Sequence, residues 1–301
     1  MKKAIIAGNG PSLLSIDYSR LPKNYDLFRT NQFYFEDKYY LGKKVNFAFS
    51  NPGVFIEQYY TLNNLIYNNE YQIDNILCAT FNLDHMVEKQ FIDKFNDYFP
   101  KATLAYKYLQ QLQDFHVFIK FNEIYKDRRI TSGVYMCAVA IALGYKELYL
   151  TGVDFYDNTL KEYAFKHKQK NIIKLAPAFN NTNSKYNKHS KEMDLEALEF
   201  LQNKYNAKLY TLNPKSVLSQ YIDLAPYCDN AFLLENKPNN YTKDILIPKY
   251  CAYHYLKIAG LQKNHQNKLL NNIYYKLFKD LFRLPSDIKH YIKEKYANKN
   301  R

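Results

Sequence analysis

The sequence predicts an α/β fold, a parallel central sheet with helices on its faces. Three observations carry that prediction. A short apolar run, Ala4-Ile5-Ile6-Ala7, empties into Gly8-Asn9-Gly10-Pro11-Ser12, the pattern of a first buried strand ending in a tight turn. Strand and helix signals alternate along most of the chain. A length of 301 residues is enough to bury a full core in one large domain with an excursion, or in two small domains.

The elements follow in order. After the first strand, Asp26-Leu27-Phe28-Arg29-Thr30 and Val45-Asn46-Phe47-Ala48-Phe49 are apolar enough to lie inside a covered sheet. Helical periodicity runs from Val54 to Leu65, a strand is expected near Asn75 to Cys78, a helix near His85 to Phe95, and an amphipathic helix around Phe118 to Tyr125. Thr131 to Asp154 is the clearest unit. There Thr131 or Ser132 caps an apolar helix through Met136, Val139, Ile141 and Leu143, Gly144 closes it, and Glu147 to Gly152 is a buried strand. From Phe155 to about His189 the pattern dissolves into polar and aromatic residues, a length that implies a functional cover, before a helix at Lys191 to Tyr205 and a strand at Lys208 to Leu212. Glu192, Asp194, Glu196 and Glu199 are expected on a solvated helix face, with metal binding as the distant alternative. The chain therefore divides into residues 1–154, a lid at 155–189, completion of the α/β domain at 190–258, and a tail at 259–301.

Candidate ligand contacts fall on the rim where open α/β sheets bind their ligands. Asn9, Asn31 and Asn51 recur at about twenty-residue spacing at the carboxyl ends of three successive predicted strands. Gly8 and Gly10 let a backbone approach a phosphorylated ligand, although Leu13 replaces the third small residue of a dinucleotide fingerprint and a plain structural turn is the alternative. The amino end of the helix at Ser132-Gly133 faces the same rim and favours an anion.

Composition narrows the class. Cys78, Cys137, Cys228 and Cys251 are scattered without Cys-x-x-Cys, as expected of reduced thiols and not of a zinc site. The opening apolar run is too short for a secretory signal, and no run of about 18 apolar residues occurs. The net charge is +13, and Leu261 to Arg301 holds ten Lys or Arg against three acids. A charge excess so concentrated in the tail argues against a general nucleic-acid surface. Leu269, Leu270, Ile273, Tyr274, Leu277, Phe278, Leu281 and Phe282 recur at helical spacing among basic residues, Pro285 is expected to break that helix, and Ser286 to cap a second segment through Ile292. Such a tail fits a helix at an anionic membrane surface; a core helix or a subunit contact is the alternative.

Longer motifs carry a resemblance. Ile5 to Leu13, Asn31-Gln32-Phe33-Tyr34-Phe35-Glu36-Asp37-Lys38-Tyr39-Tyr40-Leu41-Gly42-Lys43-Lys44, Arg129-Ile130-Thr131-Ser132-Gly133-Val134-Tyr135-Met136-Cys137-Ala138, Asp154-Phe155-Tyr156 and His189-Ser190-Lys191 resemble the bacterial lipooligosaccharide sialyltransferases of the Campylobacter type. The resemblance extends over nearly the whole length. It implies a Rossmann-like sheet of the glycosyltransferase A type with a lid. It also implies inverting transfer of N-acetylneuraminic acid from its cytidine monophosphate (CMP) conjugate to terminal galactose (α-2,3), with terminal sialic acid (α-2,8) as a further acceptor. No metal and no cofactor are implied, and no Asp-x-Asp motif for a diphosphate donor occurs.

By the same resemblance His189 is the general base and Arg129 lies beside it, while Tyr156 and Tyr163 bear the charge of the departing phosphate. One more residue separates the two tyrosines here than in the family pattern. Donor contacts map to Asn9, Gly10, Asn31, Gln32, Asn51, Thr131, Ser132, Gly133, Asp154, Phe155 and Phe179, and acceptor contacts to Asn51, Gly53, Gln58 and Arg129. The family further implies a homotetramer, peripheral on the inner face of the plasma membrane. Two other classes remain open from the residues alone: a non-catalytic nucleotide-sugar-binding module, and a nicotinamide dehydrogenase. Against the second, Thr30-Asn31 stands where a ribose-binding acid belongs.

Overall fold

Among the described residues, eight strands form one sheet in which every neighbouring pair is parallel. The computed structural model describes residues 2–52, 55–79, 95–155, 163–165, 189–246 and 272–297. Its strands are β1 (Lys3–Ala7), β2 (Tyr25–Thr30), β3 (Lys38–Tyr39), β4 (Lys44–Ser50), β5 (Gln72–Cys78), β6 (Ala102–Leu104), β7 (Glu147–Thr151), β8 (Lys208–Thr211), β9 (Asp223–Leu224) and β10 (Glu235–Asn236). They lie in the order β6-β5-β4-β2-β1-β7-β8-β9, and β10 pairs antiparallel with β3 apart from that sheet. From β1 the chain steps to β2 on one side, and β7 later joins the other side. The crevice between the carboxyl ends of β1 and β7 is thus the point where the strand order reverses, the place where such sheets take ligands.

The helices are α1 (Phe55–Tyr67), α2 (Phe95–Tyr98), α3 (Tyr106–Leu109), α4 (Gln113–Lys126), α5 (Ser132–Ala142), α6 (Lys191–Tyr205) and α7 (Ile273–Ala297). Ala4, Ile5, Ile6 and Ala7 are completely buried, because β1 is covered on both faces. Ile6, Phe28 and Leu150 pack towards Val134, Met136 and Met193 of α5 and α6. Ile5, Leu27 and Ala48 pack on the other face, with Leu13, Phe33, Phe55 and Leu62. Helix α5 is buried at every position from Gly133 to Ile141, as its all-round apolar sequence requires. It stops at Gly144, whose φ of +88° suits glycine; the Gly144 and Tyr145 N–H groups donate to the carbonyls of Ile141 and Ala140.

The strands and helices expected from the sequence appear within a few residues of their expected bounds where they are described. The helix expected near His85 to Phe95 lies outside the described residues except for Phe95, which begins α2. The short β3, β6, β9 and β10 carry too few residues for a period to show. Three expectations are corrected. Asp194 is not on a solvated face but completely buried, whereas Glu192, Glu196 and Glu199 are exposed, Glu196 against Arg128. Thr131 occupies the cap position of α5 without capping it, its hydroxyl being engaged elsewhere. Pro285 does not end the tail helix: α7 runs through it, Ser286 opens no second helix, and the carbonyl that loses its N–H partner lies on a helix exposed along its length and can take water.

The chain divides into two units, Met1–Leu256 and Lys257–Arg301. In the second, α7 is amphipathic and leaves Ile273, Tyr274, Leu277, Phe278, Leu281 and Phe282 exposed among Lys276, Lys279 and Arg283. No helix among the described residues is long and apolar enough to cross a membrane.

Candidate active site

The turn after β1 meets the end of β7 at backbone contact. Gly8 donates to the Thr151 carbonyl (2.9 Å) and Gly10 to the Gly152 carbonyl (2.9 Å). A Cβ on Gly8 would lie 2.1 Å from the Gly152 carbonyl oxygen, and one on Gly10 would lie 2.0 Å from Oδ2 of Asp154. The space the two glycine side chains would take is filled by the chain itself. The turn then runs into a single 3-10 turn, Pro11–Ser15, with Leu13 completely buried. Asp154 is held there by the Ser12 N–H (3.0 Å), and its burial raises the carboxyl above its ordinary pKa.

The three rim asparagines fasten neighbouring strand ends. Asn9 donates from Nδ2 to the Thr30 carbonyl (2.9 Å), and Oδ1 of Asn31 accepts the Asn51 N–H (3.1 Å). Asn31 itself takes the left-handed conformation, with φ of 49°. Behind Asn9, Arg29 donates to its Oδ1 (3.4 Å) and pairs with the buried Glu36 through both guanidinium amino groups. Burial pushes the Glu36 carboxyl up, and Arg29 opposes that shift. The buried Lys237 completes this charged group by donating to the Tyr34 carbonyl (2.9 Å), and burial lowers its pKa to about 8. Gln32 is buried at the head of the Phe33–Phe35 turn, and Gln58 is buried on α1 with no hydrogen-bond partner for its Oε1 among the described residues.

Tyr163 reaches this rim as well. The Ala164 N–H donates to the Asn9 carbonyl (2.9 Å), while the Tyr163 ring stacks on Phe165, which packs against Phe35. Burial raises the Tyr163 phenol above its ordinary pKa. Tyr156, Phe179 and Gly53, with most of the expected lid, lie outside the described residues.

A second cluster sits at the amino end of α5. Val153 presses on Gly133, where a Cβ would lie 3.0 Å from its side chain, so the helix starts hard against the β7 exit that carries Asp154 and Phe155. Phe155 has φ of 55°. Arg129 and His189 form an isolated parallel bridge, and His189 Nδ1 lies 3.0 Å from the Arg129 carbonyl oxygen. A carbonyl only accepts, so Nδ1 carries the proton and the neutral ring has its lone pair on Nε2. Burial holds His189 below its ordinary pKa, and the Arg129 charge adds to that. Arg129 also pairs with Glu123 of α4 (2.9 Å), which itself meets Lys120. Asp194 receives both the N–H (2.8 Å) and the hydroxyl (2.7 Å) of Thr131. Among the described residues no group of His, Cys, Asp and Glu is arranged to hold a metal ion.

The structure thus gathers Asn9, Gly10, Asn31, Asn51, Asp154 and Tyr163 in one cluster and Arg129, Thr131, Ser132, Gly133 and His189 in another, linked through Val153. Sequence reasoning missed Glu123 and Arg29 and misplaced Asp194 on a solvated face. Arg29 had a legible signal: a charge inside an apolar strand needs a buried partner.

The family model described as Alpha-2,3-sialyltransferase (CST-I) matches residues 2–295. The chain is similar to the sialyltransferase CstII from Campylobacter jejuni solved with the substrate analogue CMP-3FNeuAc: 58% identity, TM-score 0.78, covering 86% of this chain and 99% of that one. It is similar to CST-II solved with a trisaccharide acceptor and CMP, at 55% identity and a TM-score of 0.74 over 85% of this chain and 99% of that one. It is also similar to the monofunctional alpha-2,3-sialyltransferase Cst-I from Campylobacter jejuni, at 44% identity and a TM-score of 0.76 over 96% of each chain.

Proposed function

The chain belongs to the CST-I alpha-2,3-sialyltransferase family and is a glycosyltransferase, and from that premise we propose the reaction it performs. It moves N-acetylneuraminic acid from CMP-Neu5Ac to terminal galactose of lipooligosaccharide in α-2,3 linkage, with terminal sialic acid joined α-2,8 as a second acceptor. The observation that carries this reading is the His189–Arg129 contact, which fixes an imidazole beside the uncapped amino end of α5.

The acceptor hydroxyl attacks the anomeric carbon of the donor from the face opposite CMP, and its proton passes to Nε2 of His189. The bond from the anomeric carbon to the phosphate oxygen breaks, its electron pair leaves with CMP, and a single displacement inverts the centre. The free N–H groups and dipole of α5 at Ser132 and Gly133 favour the sialyl carboxylate. Asn9, Gly10, Asn31, Gln32, Asn51, Asp154, Phe155 and Phe179 form the nucleotide side of the site; Gly53, Gln58 and Arg129, again with Asn51, form the acceptor side. A monophosphate leaving group carries little charge, so the hydroxyls of Tyr156 and Tyr163 bear it without a metal.

Incubation with CMP-Neu5Ac and a lactose-type acceptor tests this reading. Release of CMP, an α-linked product and turnover unchanged by chelator are expected. A product of β configuration, or loss of turnover on chelation, overturns it; a sialic-acid-ended acceptor run separately tests the α-2,8 step.

The exposed apolar face and basic residues of α7 support docking on the anionic inner leaflet, where a lipid-borne acceptor is presented. A homotetramer, the assembly that the sequence resemblance implies, is tested by light scattering on the full chain.

A further inference from the structure

We infer that Asp194 is a positioning residue for the donor: by engaging Thr131 it holds the amino end of α5 open to an anionic ligand. This inference rests on the proposed reading of that helix end as the seat of the sialyl carboxylate.

A Thr at the cap position ordinarily turns its hydroxyl onto the N–H groups of its own helix's first turn. Thr131 does not; its hydroxyl goes to Asp194 at 2.7 Å, and its own N–H goes to the other carboxylate oxygen at 2.8 Å. The first-turn N–H groups of α5 therefore receive no cap from the Thr131 side chain. Burying a carboxylate is expensive, and an apolar side chain would serve the seam between α5 and α6 at lower cost. Asp194 is nonetheless completely buried. Its position explains what it does there. It stands in the first turn of α6, four residues after Ser190, whose hydroxyl caps that helix by accepting the Met193 N–H (3.1 Å). The residue before Ser190 is His189, bound to the Arg129 carbonyl. The segment 129–131 is thus laced to the segment 189–194 at both ends, once by the imidazole and once by the carboxylate. Asp194 touches no reacting atom in this arrangement and acts only through Thr131.

The test compares wild type with Asp194→Ala and Asp194→Asn in the full chain, by calorimetric titration with CMP and with the unreactive donor analogue CMP-3FNeuAc. Wild type is expected to bind the analogue more tightly than CMP. In Asp194→Ala that preference falls about tenfold, the size of one charge-assisted hydrogen bond, while affinity for CMP itself is unchanged. Asp194→Asn still accepts the Thr131 N–H and retains an intermediate preference; it also decides the matter if the Ala variant does not fold. An unchanged preference in the variants, parallel loss of CMP binding, or a wild type that binds both ligands equally overturns the inference. Because the titration involves no turnover, failure of the proposed transfer reaction is seen separately, in the product assay.

Discussion

His189 presents Nδ1 to the main-chain carbonyl of Arg129 at 3.0 Å, so one backbone atom decides which nitrogen of the ring can act as a base. The assignment of the proton follows from the acceptor, since a carbonyl has none to give. The pairing also places the ring beside a guanidinium that disfavours its protonation.

Replacing His189 by Ala is expected to lower kcat about 10²- to 10⁴-fold and leave CMP binding intact. Burial first, and the Arg129 charge second, lower this pKa from the ordinary 6.5, so the neutral base persists below that pH. In wild type, kcat/KM should therefore rise with pH through a limb whose midpoint lies below 6.5. An acid limb centred above that value contradicts the assignment.

Arg29 and Glu36 form a buried ion pair beneath Asn9. Arg29→Met leaves the Glu36 carboxylate buried and unpaired, and urea denaturation should show a loss of about 3–5 kcal/mol. Joining it to Glu36→Leu should recover part of that loss, because the stranded carboxylate is then gone and the remaining charge, Lys237, keeps its bond to the Tyr34 carbonyl. Additive losses would show that the two side chains act independently.

Asp194 has a pKa pushed up to about 7 by burial, against an unfolded value near 3.8. Between these values the folded state holds a proton that the unfolded state has released, so wild type loses stability as pH rises from about 4 to about 7 and levels off above. Asp194→Asn lacks this titration. The Tm of the variant minus that of wild type should grow across that window by several degrees, on the order expected for a domain of this size. A difference independent of pH would refute the raised pKa.

Removal of residues 273–301 should abolish co-sedimentation with vesicles rich in anionic lipid and leave CMP binding unchanged. In the full chain, raising the salt concentration should weaken vesicle binding, since basic residues supply about 1 kcal/mol each near such a surface. Salt-independent binding would point to the apolar face of α7 alone.

Much of the sheet was legible because its signals are local. Ala4 to Ala7 and Leu148 to Leu150 read as covered strands from their own residues, and Gly144 marked the end of α5 where a left-handed residue is needed. The tail was harder: a proline reads as a stop, but on a helix exposed to water the freed carbonyl does not force one. Asp194 shows the larger limit. Its neighbours Glu192 and Glu196 share its charge and its helix, and only the approach of Thr131 from 63 positions away makes its burial tolerable. The rim asparagines were found by their phase, yet that phase does not show that they bind one another's strands before any ligand arrives.

Gly8 and Gly152 cross so closely that neither tolerates even a methyl group: a Cβ on the first meets the carbonyl oxygen of the second at 2.1 Å, and a Cβ on the second meets that of the first at 2.6 Å. The obstruction is mutual and lies in main-chain atoms, so no compensating change at one position can admit a side chain at the other. A side chain at either position would have to push the exit of β1 away from that of β7, so the two glycines together set how closely these strand ends can lie.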